Sequence, residues 1–385
     1  MSVRVLYDYR IFDYQRMGGI SRCFVENYKC LPRDIKASFS VLDTDNIYLQ
    51  SLGFYNTNYK YDHFITKGHF PYKRRIFRKY NSLINGPFAQ IDYNRQYSIK
   101  KLQEGDFDVF HPTFFDDYFL EYLNGKPFVL TIHDMIPELY PEYYDRDDEQ
   151  IVYKRKLAPL AAKIVAVSES TKRDVMRILN VPEEKIEVVY HGAPIIQNLN
   201  EEGLRIIPSP YILFVGERHL YKNFELFVNH VEPVLRRHPK LKVVCTGKVF
   251  TIEEIKLLAS KGIGDKFITY FFKDDAELYN LYHNAQFFIY PSSYEGFGIP
   301  ILEAYYAQCP VLLNHASCFP EIAGDAAVYF TEDKENCDLE EKIEIMLSLS
   351  AINKQELIEK QLMRLKQYSW EKSAENLANI YRSLI

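Results

Sequence analysis

The stretch Glu295-Gly-Phe-Gly-Ile-Pro-Ile-Leu-Glu303 holds two carboxylates eight positions apart, around a glycine turn and the start of a helix. It follows the apolar run Gln286-Phe-Phe-Ile-Tyr-Pro291, which predicts a buried strand. Gly296 and Gly298 allow the backbone to turn sharply and to approach a ligand closely. Pro300 suits the first turn of a helix, because the N–H that it lacks would have no partner in the helix there. The pattern therefore predicts a strand, a glycine turn and a helix.

Such a turn offers two kinds of group to a ligand. The first turn of the helix presents free amides and a positive dipole end to an anion, whereas Glu295 and Glu303 accept hydrogen bonds from hydroxyls. A hydrolytic carboxylate pair would stand roughly 5–10 Å apart across one bond, but eight helical steps would separate these two by about 12 Å. We therefore predict a clamp on a ligand that is both phosphate and sugar, which indicates a nucleotide-sugar site.

The composition of the chain restricts its class. With 385 residues, the chain is too long for one ordinary core and favours two domains. Its net charge of −5 argues against nucleic-acid binding, and its six scattered cysteines favour buried free thiols over disulfides or a metal site. Because neither a signal-peptide core nor an apolar run of about 18 residues is present, we expect a soluble cytoplasmic protein.

Short apolar runs alternate with amphipathic segments of helix length along the whole chain. Continuously apolar strands separated by helices predict an α/β fold whose parallel sheets are covered on both faces. The predicted strands are Val3–Tyr7, Ser38–Leu42, Val109–His111, Phe128–Ile132, Lys163–Val167, Tyr211–Val215, Lys242–Thr246, Phe267–Phe271, Ala285–Tyr290, Val311–Asn314 and Ala327–Phe330. The predicted helices include Ile20–Leu31, Thr171–Leu179, Phe224–Arg237, Ala276–Asn284, Pro300–Ala307, Leu339–Leu347 and Trp370–Leu384.

The series of strands and helices restarts after the polar, proline-containing stretch Pro194–Pro210. We therefore predict one doubly wound, Rossmann-like domain over residues 1–195 and a second over residues 208–365. The carboxyl ends of both sheets would face one cleft. The segment 366–385 has a helical pattern with no strand after it, and we predict that this helix crosses back to the first domain.

Loops that follow predicted strands supply polar residues for such a cleft. Gly18 and Gly19 open a helix whose amides suit a phosphate, with a plain turn as the alternative. His133 ends a strand where ligands bind in open α/β sheets, or it is a hydrogen-bonded structural histidine. Arg218 and Lys222 lie on a loop that suits a diphosphate, with a solvated loop as the alternative.

Two further features stay open. Asp43-Thr-Asp45 and Asp106-Phe-Asp108 have the D-x-D spacing of some metal sites, but this spacing is common by chance and we assign a metal to neither. The segment Lys73–Lys79 packs five cations into seven residues between two tyrosines. It predicts peripheral contact with the anionic inner face of the plasma membrane or, as the alternative, a solvated helix face.

The segment Tyr290–Ala304 resembles the E-x7-E signature of the retaining glycosyltransferases of family 4. Seven other segments match that family in its order, namely Gly18–Arg22, Thr131–Asp134, Val167–Glu169, Lys222–Asn223, Pro310–Leu312, Pro320–Ala327 and Ser369–Glu371. The resemblance covers nearly the whole chain. The order is most similar to the branch that includes bacterial mannosyltransferases of polysaccharide assembly.

The resemblance implies a GT-B fold, in which two Rossmann-like domains face each other across a cleft. The first domain would bind mainly the acceptor, and the second would bind the nucleotide-sugar. By the same resemblance, Glu303 would accept hydrogen bonds from the ribose and Glu295 would contact the donor sugar. Lys222 would hold the diphosphate, while Gly298 and Ile299 would give backbone amides to sugar or phosphate.

Further residues take their expected roles from the same family. Gly19 would approach the diphosphate from the first domain, His133 would lie against the reacting sugar, and the loop around Phe272 would border the base. The family often has arginine directly before the lysine, where this chain has Tyr221, and we suppose that Arg218 replaces that cation. Family members generally need no metal, so we expect no cofactor.

These features together predict retaining transfer of a hexosyl unit from a nucleoside-diphosphate sugar to a glycan or lipid-linked glycan in cell-surface polysaccharide biosynthesis. Mannose, from GDP-mannose, is the first candidate, on the resemblance to that branch alone. Two alternatives remain. A nucleotide-sugar epimerase of the GT-B fold would share the ribose clamp, and a non-catalytic sugar-binding protein would have a decayed site.

Overall fold

The computed structural model describes residues 2–54, 93–194, 206–218, 220–333 and 335–385. The strands in these ranges are β1 (Val3–Tyr7), β2 (Ile35–Phe39), β3 (Val109–His111), β4 (Val129–Ile132), β5 (Lys163–Ala166), β6 (Ile186–Val188), β7 (Tyr211–Phe214), β8 (Lys242–Thr246), β9 (Phe267–Tyr270), β10 (Phe287–Tyr290), β11 (Val311–Asn314) and β12 (Val328–Phe330). Each pair of neighbouring strands runs parallel.

The strands form two units along the chain. In the N-terminal unit, β2-β1-β3 and β4-β5-β6 are joined by a single parallel bridge between Phe110 and Phe128. In the C-terminal unit, one sheet has the order β12-β11-β10-β7-β8-β9. The order reverses beside the first strand of each unit, and ligands bind at the carboxyl ends of strands at such a reversal. The predicted α/β fold with two Rossmann-like units is confirmed.

Helices connect these parallel strands. Those in the described ranges are α1 (Arg10–Tyr14), α2 (Gly19–Cys30), α3 (Ile47–Gln50), α4 (Tyr93–Glu104), α5 (Ile136–Leu139), α6 (Glu149–Leu157), α7 (Glu169–Leu179), α8 (Phe224–Arg237), α9 (Ile252–Ser260), α10 (Asp275–His283), α11 (Ile299–Tyr306), α12 (Phe319–Ala323), α13 (Leu339–Leu347), α14 (Ala351–Leu365) and α15 (Trp370–Arg382). Ser168, Thr251 and Ser369 begin their helices by accepting the amide three residues on.

Most predicted elements are confirmed to within a few residues. The main shift is β2, predicted at Ser38–Leu42 but found at Ile35–Phe39. The pairing ends there because the next amides, those of Leu42 and Asp43, donate to the Asn94 side chain and not to a neighbouring strand. Helix α14 was not predicted. Only two of its fifteen residues are buried, so its sequence shows no clear apolar face.

The C-terminal sheet is buried on both faces, which explains its continuously apolar strands. Along β7, Ile212 and Phe214 pack in one apolar cluster with residues of α8, whereas Tyr211 and Leu213 pack in another with residues of α11. Burying a side chain of this size contributes about 1.5–3 kcal/mol. The sheet is thereby a rigid base for the loops at its carboxyl edge.

The last helix packs on the N-terminal unit, against α2 and β1. Leu377 and Ala378 join the apolar core of that unit. The Tyr381 hydroxyl lies 2.9 Å from the Tyr7 hydroxyl and 2.7 Å from His111 Nδ1. The exact domain boundaries at 195 and 208 stay predictions, since residues 195–205 lie outside the described ranges.

Two sequence expectations concern the surface of the molecule. No helix within the described residues has the length and apolar character that crossing a bilayer requires. The basic segment Lys73–Lys79 lies outside the described residues, so membrane contact stays a prediction. All six cysteines are free thiols; four of them are buried, as predicted, whereas Cys30 and Cys337 are half-buried.

Candidate active site in the cleft between the two units

A cavity of about 460 Å³ lies between the units, at the carboxyl edges of both sheets. Its volume falls within the range of ordinary ligand pockets. The predicted site residues that line it are Gly18, Gly19 and His133 from the N-terminal unit and Lys222, Phe272, Glu295, Gly298, Ile299 and Glu303 from the C-terminal unit. The fold therefore brings together residues that are almost 300 positions apart in the chain.

Lys222 and Glu295 form an ion pair in the wall of this cavity. Lys222 Nζ donates to Glu295 Oε1, and the two side chains are 18% and 11% exposed. The ammonium also lies 5.6 Å from the centre of the Tyr290 ring and 5.1 Å from that of Tyr221. Because the aromatic rings and the carboxylate surround the Lys222 ammonium, few waters can hydrate it. The ammonium can therefore bind an anion that enters the cavity.

A half-buried network of hydrogen bonds holds the Lys222 loop in place. Glu332, just after β12, accepts hydrogen bonds from Asn223 Nδ2, from Ser293 Oγ at 2.9 Å and from Asn314 Nδ2 at 2.7 Å. Asn223, the residue after the lysine, also donates to the Pro291 carbonyl at 3.0 Å. Sequence reasoning missed Glu332. Its position directly after the last strand of the sheet is the signal that could have revealed it.

The helix α11 begins at Gly298, whose φ of +89° favours glycine. Glu303 lies within this helix, and Oε2 accepts a hydrogen bond from the Tyr282 hydroxyl at 3.2 Å. Burial raises the pKa of Glu303, and nearby Asp275 adds to this, while Arg22 and the Tyr282 hydrogen bond lower it. Arg22 and Tyr282 therefore favour the ionised form of this carboxyl against the effect of burial.

The N-terminal unit faces this helix with a glycine pair. A Cβ atom on Gly18 would lie 2.4 Å from Gln15 Oε1, so a side chain there would displace the Gln15 amide from its hydrogen bond with the Ser21 N–H. A Cβ atom on Gly19 would lie 3.5 Å from Ile299 Cδ1, across the cleft. Arg22, one turn further along α2, also lines the cavity. Sequence reasoning placed Arg22 in the matching segment but gave it no role.

His133 is buried at the end of β4, within the cavity wall. Burial lowers its pKa to about 4, and its ring stacks on His191 with centres 5.9 Å apart. Its Nε2 has no hydrogen-bond partner within the described residues. A neutral imidazole with a free polar atom suits a hydroxyl of a bound ligand.

The two units touch directly beside His133. A Cβ atom on Gly296 would lie 1.7 Å from the His133 carbonyl oxygen, so only glycine fits at this contact. The Gly296 carbonyl accepts hydrogen bonds from Ser168 Oγ at 2.7 Å and Thr171 Oγ1 at 3.2 Å. The Glu321 carboxylate in turn accepts the first amides of α7. These contacts join the two units beside the cavity.

The structure corrects the expectation for Arg218, which does not line the cavity. Its guanidinium is buried, with Nε 3.0 Å from Glu254 Oε1 and Nη2 2.6 Å from the Lys248 carbonyl. These bonds fix the loop between β8 and α9, so Arg218 cannot replace a second diphosphate cation. The Tyr221 ring instead packs beside Tyr140, with centres 5.7 Å apart.

In one of the two D-x-D segments, the carboxylates have a structural role. Asp106 and Asp108 both pair with Arg4. No cluster of three or more His, Cys, Asp or Glu side chains is placed to hold a metal within the described ranges. Whether the activity needs a metal stays a prediction.

Two family models match this chain. Residues 61–195 match the model for Glycosyltransferase Family 4, and residues 198–364 match the model for Glycosyl transferases group 1. O-antigen chain mannosyltransferase B of Escherichia coli is 27% identical over 270 residues, which is 66% of this chain and 70% of that protein. O-antigen chain mannosyltransferase RfbU of Salmonella typhimurium is 29% identical over 213 residues, 54% of this chain and 57% of that protein. The chain thus aligns with little more than half of RfbU.

Solved structures agree with the fold. A glycosyltransferase from Rickettsia africae ESF-5 superposes with a TM-score of 0.67 and 17% identity, over 100% of this chain and 98% of that one. WaaG, a glycosyltransferase involved in lipopolysaccharide biosynthesis, superposes with a TM-score of 0.62 and 15% identity over 99% of each chain. At these identities, the likeness establishes the fold alone. The family matches and the fold lead to one conclusion: this chain belongs to the family 4, group 1 glycosyltransferases and has their GT-B architecture.

Proposed function

We propose that this protein transfers a hexosyl unit, with mannose as the first candidate, from a nucleoside-diphosphate sugar to a hydroxyl of a glycan or lipid-linked glycan. The observation that carries the proposal is the single cavity in which Lys222, Glu295 and Glu303 meet His133 across the cleft. The O-antigen mannosyltransferases among the relatives support mannose as the sugar.

The geometry supports one arrangement of the donor. The ribose hydroxyls would donate to Glu303 within α11, and the diphosphate would lie between Lys222 and the first amides of that helix. The absence of a side chain on Gly19 gives the phosphate room to approach from the other unit. The sugar would then lie between Glu295 and His133, whose neutral ring binds a sugar hydroxyl.

The reaction forms a bond between the acceptor oxygen and the anomeric carbon, and it breaks the bond between that carbon and the diphosphate. We infer attack on the face that the diphosphate leaves, so that the configuration is retained. A phosphate oxygen of the leaving group takes the proton of the acceptor hydroxyl. Lys222 and the helix amides stabilise the charge on the departing diphosphate, and cleft closure excludes water. We propose that this needs no metal.

The proposal is tested by mixing the protein with labelled GDP- and UDP-sugars, with and without a lipid-linked glycan fraction, in buffer that contains EDTA. We expect nucleoside diphosphate to be released only when acceptor is present, together with an α-linked product. Isomerised donor without acceptor would indicate an epimerase instead. Binding of the donor with no turnover would indicate a sugar-binding protein, and activity that returns only on adding a divalent cation would contradict metal independence.

The location of the protein in the cell and its contact with a membrane are proposed from the amino-acid sequence alone. We propose that the protein works in the cytoplasm, at the inner face of the plasma membrane, because a lipid-linked acceptor would be presented there. The basic segment Lys73–Lys79 would bind anionic lipid.

A further inference from the structure

A guanidinium from the N-terminal unit reaches two carboxylates of the C-terminal unit inside the cleft. Arg22 Nη1 lies 3.7 Å from Glu303 Oε1, and Nη2 lies 3.4 Å from Asp275 Oδ2. The side chains of Arg22 and Glu303 are only 11% and 14% exposed. Solvent therefore screens this contact much less than it screens an ion pair on the surface.

Helices α3 and α10 bring further polar groups to the Arg22–Glu303 contact. The Tyr282 hydroxyl of α10 donates to Glu303 Oε2 at 3.2 Å, and Asp275 of the same helix brings a second negative charge. Tyr48 of α3 lies beneath Arg22, with its ring centre 6.0 Å from the guanidinium carbon. Among the described residues, Arg22 is the one cation that pairs with Glu303, since Lys222 pairs with Glu295.

Burial and Asp275 both raise the pKa of Glu303, whereas Arg22 lowers it. A carboxylate accepts hydrogen bonds on both oxygens, but a protonated carboxyl turns one of them into a donor. The two adjacent hydroxyls of a ribose need two acceptors. A Glu303 side chain that gains a proton would therefore lose half of its ribose contact.

We propose that Arg22 is a positioning residue for donor binding, which fixes the Glu303 carboxylate from across the cleft so that both of its oxygens face the ribose hydroxyls. The inference rests on the proposed function, in which Glu303 binds the ribose. Closing the cleft would remove water from Glu303. The same movement would bring the Arg22 guanidinium to the carboxylate, where it replaces that water. Donor binding and closure then favour each other.

The test uses calorimetry of GDP and UDP, and of their 2′,3′-dideoxy forms, on the full chain between about pH 5 and pH 8. We expect Arg22→Gln to bind the ribonucleotide about tenfold or more weakly, since the loss of one hydrogen bond between a ribose hydroxyl and the charged Glu303 has an effect of about this size. Its preference for ribose over dideoxyribose should shrink. Because a carboxyl is ionised above its pKa and this change raises that pKa further, the loss should grow as the pH falls.

Two variants control the result. Glu303→Gln should lose a similar affinity without the pH dependence, and adding Arg22→Gln to it should cost little more. Arg22→Lys keeps a cation and should retain most of the ribose preference, so it supplies the test if Arg22→Gln does not fold. The inference is overturned if Arg22→Gln, or Arg22→Lys in its place, weakens ribose and dideoxyribose forms equally at every pH. Wild-type protein that binds neither nucleotide would overturn the proposed function instead.

Discussion

Burial changes the chemistry of three histidine side chains, two of which line the cleft. It lowers the pKa of His133 to about 4, and it lowers the pKa values of His111 and His191 to about 3. All three imidazoles are therefore neutral near pH 7. A neutral His133 can bind a sugar hydroxyl without competing with Lys222 for the carboxylates of the site.

The buried histidines also predict how the stability of the fold depends on pH. An unfolded chain protonates its histidines near the ordinary pKa of about 6.5. Between this value and the lowered native pKa values, the unfolded chain binds more protons, so the free energy of unfolding should fall as the pH falls. Urea unfolding at about pH 7 and pH 5 measures this change.

The variant His133→Gln isolates the contribution of one ring. It should lose less stability than the wild type over the same pH change, because one of the groups that protonate on unfolding is absent. Equal losses in both proteins would show that His133 does not have the lowered pKa.

At the scale of elements, the turn between β10 and α11 does most to build the site. Its glycines, its proline and its flanking carboxylates follow one another in the chain, so the sequence pattern predicts the turn. The direction of Arg218 could not be predicted in this way. Its partners are Lys248, in the loop after β8, and Glu254, in the first turn of α9, and only the folded packing shows that the guanidinium turns away from the cavity.

Gly296 gives a direct test of this turn. A methyl group there would collide with the His133 carbonyl, so Gly296→Ala should fold but hold the cleft open. We expect turnover to fall about a hundredfold, as for a misplacement of about 1 Å in other enzymes. Gly264→Ala is the matched control, since no atom lies within 4 Å of its added Cβ and its turnover should be normal. Wild-type turnover in Gly296→Ala would rule out the close contact as a requirement.

At the scale of the whole molecule, the site exists only because two similar units meet edge to edge. The spacing of strands and helices was sufficient to predict two such units, and the E-x7-E resemblance named many of the residues that line the cavity between them. The pairs that cross the cleft, such as Arg22 with Glu303 and Glu321 with the start of α7, were not predictable. Their partners are more than 150 positions apart, and no periodic pattern links them.

We propose that this cleft transfers a sugar from a nucleotide, with Lys222 as the cation at the diphosphate. Acceptor-dependent release of nucleoside diphosphate, compared between the wild type, Lys222→Ala and the exposed-surface control Lys256→Ala, tests it most directly. We predict that Lys222→Ala stays folded and loses about 10²–10³ in turnover, as for the loss of one group that stabilises developing negative charge, while Lys256→Ala behaves as the wild type. Near-normal release of nucleoside diphosphate by Lys222→Ala would contradict this role of Lys222.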